Sequence, residues 1–204
     1  MNSEGGGRIR AATPGDAAAI AAIYAPFVEE TPISFEERAP GEEEIVDRIK
    51  STLVAYPWLV CERGGEVVGY AKAGPLRSMD AYRWTVELTV YVAGEARRSG
   101  VATGLYTALL ELLDRQGYRS AYAALVVPNP ESVAFHERMG FEPVGTFPRV
   151  GYTQGAWRDV RWLYRPIGEP EGDSKPDEPL PFPDVRRGPG WGEALATGEA
   201  ALEP

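Results

Sequence analysis

A strand carboxylate, a turn of small residues that follows it and a solitary histidine are the groups in this chain best suited to chemistry. Over residues 84–92 the residues alternate: Trp84, Val86, Leu88, Val90 and Val92 form an apolar face, and Thr85, Glu87, Thr89 and Tyr91 a polar one. Glu87 therefore stands among hydroxyls. Directly after it, Arg97-Arg98-Ser99-Gly100-Val101-Ala102-Thr103-Gly104 opens an amphipathic helix. Unpaired amides at a helix start, approached through small residues, can grip a phosphate. The turn lacks the lysine of a GxxxxGK[ST] loop and the spacing of GxGxxG, which leaves R-x-x-G-x-A at Arg97, Gly100 and Ala102. By itself this hexapeptide also fits an ordinary strand-to-helix turn with solvated arginines. Glu87 is either a base or a solvated strand carboxylate. His136, the one histidine, is either a proton carrier or a polar boundary residue.

These groups need elements to hold them, and the periodicities supply an alternating α/β order. Residues 8–12 read as a strand, then Thr13-Pro14-Gly15-Asp16 caps a helix running to about Phe27 with Ile20, Ile23, Tyr24 and Phe27 inward. A second helix is expected from about Gly41 to Ala55, and a hairpin from Trp58–Arg63 and Glu66–Ala73 around Gly64-Gly65. The helix after the turn carries Val101, Leu105, Ala108, Leu109, Leu112 and Leu113 and stops at Gly117. Residues 120–127 form a further strand, Asn129-Pro130 starts a short helix ending near Gly140, and 141–150 and 152–165 complete the sheet. About seven strands and four helices result, an α/β (α+β) chain with a mixed sheet.

Composition divides the chain in three. Residues 1–7 are expected to be flexible and 8–165 to form one domain. Residues 166–204 hold eight of the eighteen prolines and nine acidic against three basic residues, so this tail is expected to be extended or disordered, with Trp191 and the short apolar pattern Ala194-Leu195 as the part able to dock. A net charge of −9 disfavours nucleic acid and anionic membrane as partners. With no signal-peptide pattern at the start and no apolar run of spanning length, the cytoplasm is the expected compartment. Cys61 cannot form an internal disulfide and reads as a small buried hydrophobe; one histidine and one cysteine make a metal site improbable.

The R-x-x-G-x-A turn resembles the pyrophosphate loop of GNAT acetyltransferases, and the element order matches theirs. Several segments are similar to the phosphinothricin and methionine sulfoximine N-acetyltransferase branch: TPISFEER at 31–38, AYPWLV at 55–60, AGP at 73–75, AY at 81–82, TVYV at 89–92, PN at 128–129 and GxWxDV at 155–160. The resemblance spans about Arg8 to Arg165. It implies the GNAT fold, acetyl-CoA as co-substrate without metal, direct transfer of acetyl to an amine, and a homodimer. Glu87 would be the base and His136 the proton donor to the departing thiolate. Val90, Tyr91 and Val92 would hold the pantetheine arm, Arg97, Arg98, Ser99, Gly100, Val101, Ala102, Thr103 and Gly104 the diphosphate, and Asn129 would also contact the cofactor while capping its helix. Phe35, Arg77, Tyr82, Thr89 and Tyr91 would surround a small amino acid.

One departure concerns the acceptor. Relatives commonly carry a second basic residue where this chain has Met79, so the identity of the amine is left open. A peptide, protein or polyamine acetyltransferase of the same fold, or a non-catalytic acyl-CoA sensor, are the alternatives.

Overall fold

The computed structural model describes residues 7–168 and 174–202. Seven strands form one sheet in the order β1-β2-β3-β4-β5-β7-β6. They are β1 (Arg8–Ala11), β2 (Trp58–Arg63), β3 (Glu66–Pro75), β4 (Thr85–Val92), β5 (Ser120–Val127), β6 (Glu142–Thr153) and β7 (Ala156–Pro166). Helices α1 (Ala17–Glu29) and α2 (Glu42–Thr52) cover one face, α3 (Val101–Gln116) the other, and α4 (Pro130–Arg138) follows β5.

Alternation along each strand decides which core a side chain joins. On β2, Leu59 and Cys61 enter the core under α3, whereas Trp58 and Val60 pack with Ile20, Ile45, Ile49 and Tyr70 under α1 and α2. The α3 stripe is buried as its spacing requires, with Leu105, Leu109, Leu112 and Leu113 fully inside. Each such leucine stabilises the fold by roughly 1.5–3 kcal/mol. At the start of α1, the Thr13 amide donates to Asp16 Oδ2 at 2.7 Å, and Arg10 binds both Asp16 and Glu62, at 2.6 and 2.8 Å. This ties β1, α1 and β2 together.

Every strand pair is antiparallel except β4 and β5. Their parallel register is short, covering Thr85↔Ser120, Val86↔Ala121 and Glu87↔Tyr122. Beyond Glu87 the two strands splay, although β4 continues to Val92 and β5 to Val127. The sheet thus opens a wedge whose apex is Glu87.

The tail departs from the expectation of disorder. Residues 182–187 and 191–199 form α5 (Phe182–Arg187) and α6 (Trp191–Glu199), and Phe182, Val185 and Ala194 are buried. The short apolar pattern at Trp191, Ala194 and Leu195 docks on α3 and β1 despite the acidic, proline-rich composition around it: a Cβ on Gly198 would lie 2.5 Å from Gly104 O, so the two helices meet backbone to backbone. Glu199 Oε1 accepts from the Ile9 amide at 2.8 Å, and Gln116 Nε2 donates to Leu180 O at 2.7 Å. Residues 169–173 and 203–204 of the expected tail, and 1–6 of the expected flexible start, lie outside the described residues. No helix among the described residues is long and apolar enough to cross a membrane.

Candidate active site

Glu87 sits at the apex of the wedge, half-buried, on the strand face turned toward α1 and α2. Burial raises its carboxyl above the ordinary carboxylate range, while the nearby charges of Arg77 and Lys72 pull it partly back. A cavity at the apex is lined by Glu87, Thr89, Tyr91, Tyr106, Asn129 and His136. It adjoins a cleft of about 660 Å³ that runs along β4 to the α3 turn and the start of α4.

The cleft is built largely of main chain. Past Glu87, β4 has no paired residue on its β5 side among the described residues, which leaves the edge carrying Val90, Tyr91 and Val92 open. At the α3 end Gly100 takes φ 78°, a left-handed conformation that disfavours other residues. The first intrahelical bond runs from the Gly104 amide to Gly100 O at 2.8 Å, so the amides of Val101, Ala102 and Thr103 project from the helix start without intrahelical partners. Arg97 and Arg98 stand exposed beside them, Arg97 lying 5.2 Å over the Phe27 ring. These groups make a seat for a polyanion with an open strand edge leading to the carboxylate.

Two of the expected loop residues serve the loop rather than the cleft. Ser99 turns its hydroxyl onto Ala96 O at 2.7 Å, and its carbonyl accepts from Arg63 at 2.8 Å. Gly104 faces α6, where a Cβ would lie 2.6 Å from Gly198 O, and its amide is already used in the helix. The glycine is required by the docked tail, which the sequence pattern did not reveal.

His136 is brought to the apex but held. It is 3% exposed; Nδ1 lies 2.8 Å from Ser132 O, a carbonyl, and so carries the hydrogen, leaving Nε2 to accept from Tyr106 OH at 3.1 Å. Burial lowers its pKa, which keeps the ring neutral near pH 7. In this arrangement the ring N–H is directed at a carbonyl and the second ring nitrogen at the Tyr106 hydroxyl. Asn129 caps α4 through Oδ1, which accepts from the Ser132 amide at 3.3 Å, and borders both cavities.

Of the expected acceptor residues, Thr89 and Tyr91 line the cavity at Glu87, and Arg77 lies near enough for its charge to act on that carboxyl. Thr89 follows it on the same face, and Tyr91 packs against Tyr24, Phe27 and Tyr70, with ring centroids 4.8, 4.7 and 5.7 Å away. Phe35 is 44% exposed and abuts Gly151; Tyr82 is 39% exposed on a short turn after β3. Arg77 stacks 5.8 Å from the Trp162 ring, and Met79 faces solvent. Sequence reasoning placed Phe27 in the α1 core rather than at the cleft it lines, and did not single out Ile33, Ser132 or Tyr106, which also line the cavities, nor Lys72, a half-buried lysine opposite Thr89 in the β3–β4 register. Only the unusual lysine within an otherwise apolar strand could have flagged the last. No group of three or more metal-ligating side chains occurs among the described residues.

Residues 9–162 match the family described as an acetyltransferase (GNAT) domain. A phosphinothricin N-acetyltransferase of Streptomyces viridochromogenes is 40% identical over 157 residues, which cover 77% of this chain and 86% of that protein. An L-methionine sulfoximine/L-methionine sulfone acetyltransferase of Salmonella typhimurium is 32% identical, over 79% and 95% of the two chains. Among solved structures, a GNAT superfamily phosphinothricin acetyltransferase from Sinorhizobium meliloti in complex with AcCoA superposes with a TM-score of 0.80 at 32% identity, covering 86% of this chain and 96% of that one.

Proposed function

The chain belongs to the GNAT acetyltransferase family, and from that premise we propose that it acetylates the primary amine of a small amino acid of the phosphinothricin, methionine sulfoximine or methionine sulfone type, with acetyl-CoA as donor. The observation that carries this reading is the position of Glu87, where a main-chain seat for a polyanion meets a pocket of polar and aromatic side chains. A diphosphate fits the free amides of Val101, Ala102 and Thr103 beside Arg97 and Arg98, and an extended amide-bearing arm fits the unpaired edge at Val90–Val92. When bound, acetyl-CoA supplies an acetyl thioester open to attack by an amine.

The chain's own groups account for the proton traffic on the acceptor. An amino acid arrives as an ammonium ion, and its nitrogen becomes nucleophilic only when a proton leaves. Glu87 takes that proton, and its partial burial brings its basicity closer to that of a useful base. Thr89 and Tyr82 border the acceptor, Phe35 covers it, and the Arg77 guanidinium meets its carboxylate. His136 acts as a positioning residue that fixes Tyr106 and the first turn of α4, and the departing thiolate draws its proton from solvent at the cleft mouth.

Along its length the β6–β7 hairpin exposes Val144, Phe147, Val150, Tyr152 and Trp157, a surface that suits a homodimer. A thiol-release assay with acetyl-CoA against phosphinothricin, methionine sulfoximine, methionine sulfone, ordinary amino acids, polyamines and peptides tests the function. Release with small amino acids is expected. Release with peptides or polyamines alone, or acetyl-CoA affinity without any release, would replace this reading with one of the alternatives.

A further inference from the structure

Lys72 is a cation that the fold places on the sheet face of Glu87 without giving it an ion-pair partner of its own. On β3 it lies directly opposite Trp58 on β2 and Thr89 on β4, and two register steps from the Gly74↔Glu87 pair. It therefore shares a sheet face with Glu87, as a diagonal neighbour at roughly 7–8 Å between strand positions. Its ammonium sits 5.0 Å over the Trp58 ring, and that buried indole N–H has no acceptor among the described residues.

The surrounding charges do not consume the lysine. Glu36, the nearest other carboxylate on this face, is gripped at both oxygens by Arg48 from α2, each bond 2.8 Å, and also accepts from Tyr24 OH at 3.1 Å. Lys72 makes no hydrogen bond or ion pair of its own among the described residues. Burial lowers its pKa, the neighbouring Arg48 acts in the same direction, and Glu36 and Glu87 oppose them. With Arg48 and Glu36 neutralising each other, Lys72 and Arg77 face one carboxylate, Glu87, which leaves one positive charge in excess around the acceptor. In a chain of net charge −9 that excess is local and specific.

We propose that Lys72 is a specificity-determining residue that reads an anionic oxygen on the acceptor's side chain from the floor of the pocket, while Arg77 holds the carboxylate from its rim. This rests on the amino-acid acetyltransferase reading given above. It also assigns a replacement for the cation absent at Met79, supplied from a neighbouring strand rather than from the same loop. The aromatic floor matters to it: an ammonium held over Trp58 is stripped of part of its water, so an incoming anion meets a poorly solvated charge.

The test is the kcat/KM ratio between an acceptor with an anionic side chain, phosphinothricin, and its neutral counterpart, methionine sulfone, in the wild type and in Lys72→Met and Lys72→Arg. Lys72→Met keeps the stem that packs on Trp58, and an unchanged acetyl-CoA affinity by calorimetry confirms an intact fold. The anionic preference is expected to fall roughly 10- to 100-fold in Lys72→Met, with methionine sulfone turnover retained, and to return in part in Lys72→Arg. Turnover with an unchanged ratio overturns the role of Lys72 and leaves the proposed function standing. If no amino acid is turned over, the proposed function fails, and Lys72 is judged by calorimetric binding of the same two acceptors to the CoA-loaded protein. Tighter binding of phosphinothricin that Lys72→Met abolishes upholds the lysine, whereas equal binding, or none, overturns it.

Discussion

The two sides of Glu87 are built from different materials. Toward α3 the cleft is main chain: an open strand edge, a left-handed glycine and three projecting amides. Toward α2 the proposed acceptor pocket is side chain: Phe35, Lys72, Arg77, Tyr82 and Thr89, drawn from two strands and two loops. A surface of amides can be altered only by disturbing the backbone, so it suits an invariant ligand. A surface of side chains changes with single substitutions, which suits a partner that varies between relatives.

The strongest way to break this division is at the residue both sides share. Glu87→Gln is expected to lower turnover by about 10²–10⁴-fold while acetyl-CoA affinity stays unchanged by calorimetry. In the wild type, activity should rise with pH as Glu87 loses its proton, along an acid limb above the usual carboxylate range because burial raises that group. The limb should vanish in Glu87→Gln. A variant with normal turnover at neutral pH would remove Glu87 as the base.

Next in size is Gly100→Asp, which forces a side chain into a left-handed conformation and sets an anion before the amide seat. A loss of acetyl-CoA affinity of about 100-fold or more is expected from the charge-assisted contacts removed. Unchanged affinity would show that the seat lies elsewhere. His136→Phe should cost about 10-fold in turnover, since it strands the Tyr106 hydroxyl, and leave the shape of the pH profile unaltered. Loss of one limb of that profile would restore the histidine as a proton donor. The smallest effect is expected from Gly104→Ala: a drop of a few degrees in Tm as α6 is pushed away, with acetyl-CoA affinity within a few-fold of wild type. A large affinity loss there would return Gly104 to the cleft.

The same contrast explains what was legible in the letters. Backbone sites announce themselves through small residues at fixed spacing, and Gly100, Val101, Ala102 and Thr103 lie where the hexapeptide put them. Strand alternation likewise located Glu87, and the α3 stripe and the β2–β3 hairpin follow their sequence patterns. Gly104 and Ser99 share the motif but serve the packing of α6 and the shape of the turn, which only tertiary contacts decide. Lys72 escaped notice because its neighbours Trp58, Glu36 and Arg48 are far away along the chain and meet it only through strand register and the placement of α2. His136 was located, yet the direction of its N–H depends on a carbonyl one helical turn back. In the tail, the docking residues Trp191, Ala194 and Leu195 are visible as a short apolar pattern, but composition, which averages over the segment, outweighs it and favours disorder.

The carboxylate of Glu199 on the Ile9 amide has a bearing on assembly. An outer strand with idle N–H groups invites a stranger to add itself, and a sheet with two such rims could grow without limit. Here α6 stoppers the β1 rim at Ile9, so of the two outer strands it is β6 that the proposed homodimer would use. In that proposed homodimer, pairing rim to rim through β6 would use up the same border on both molecules, so growth by strand addition would halt at two.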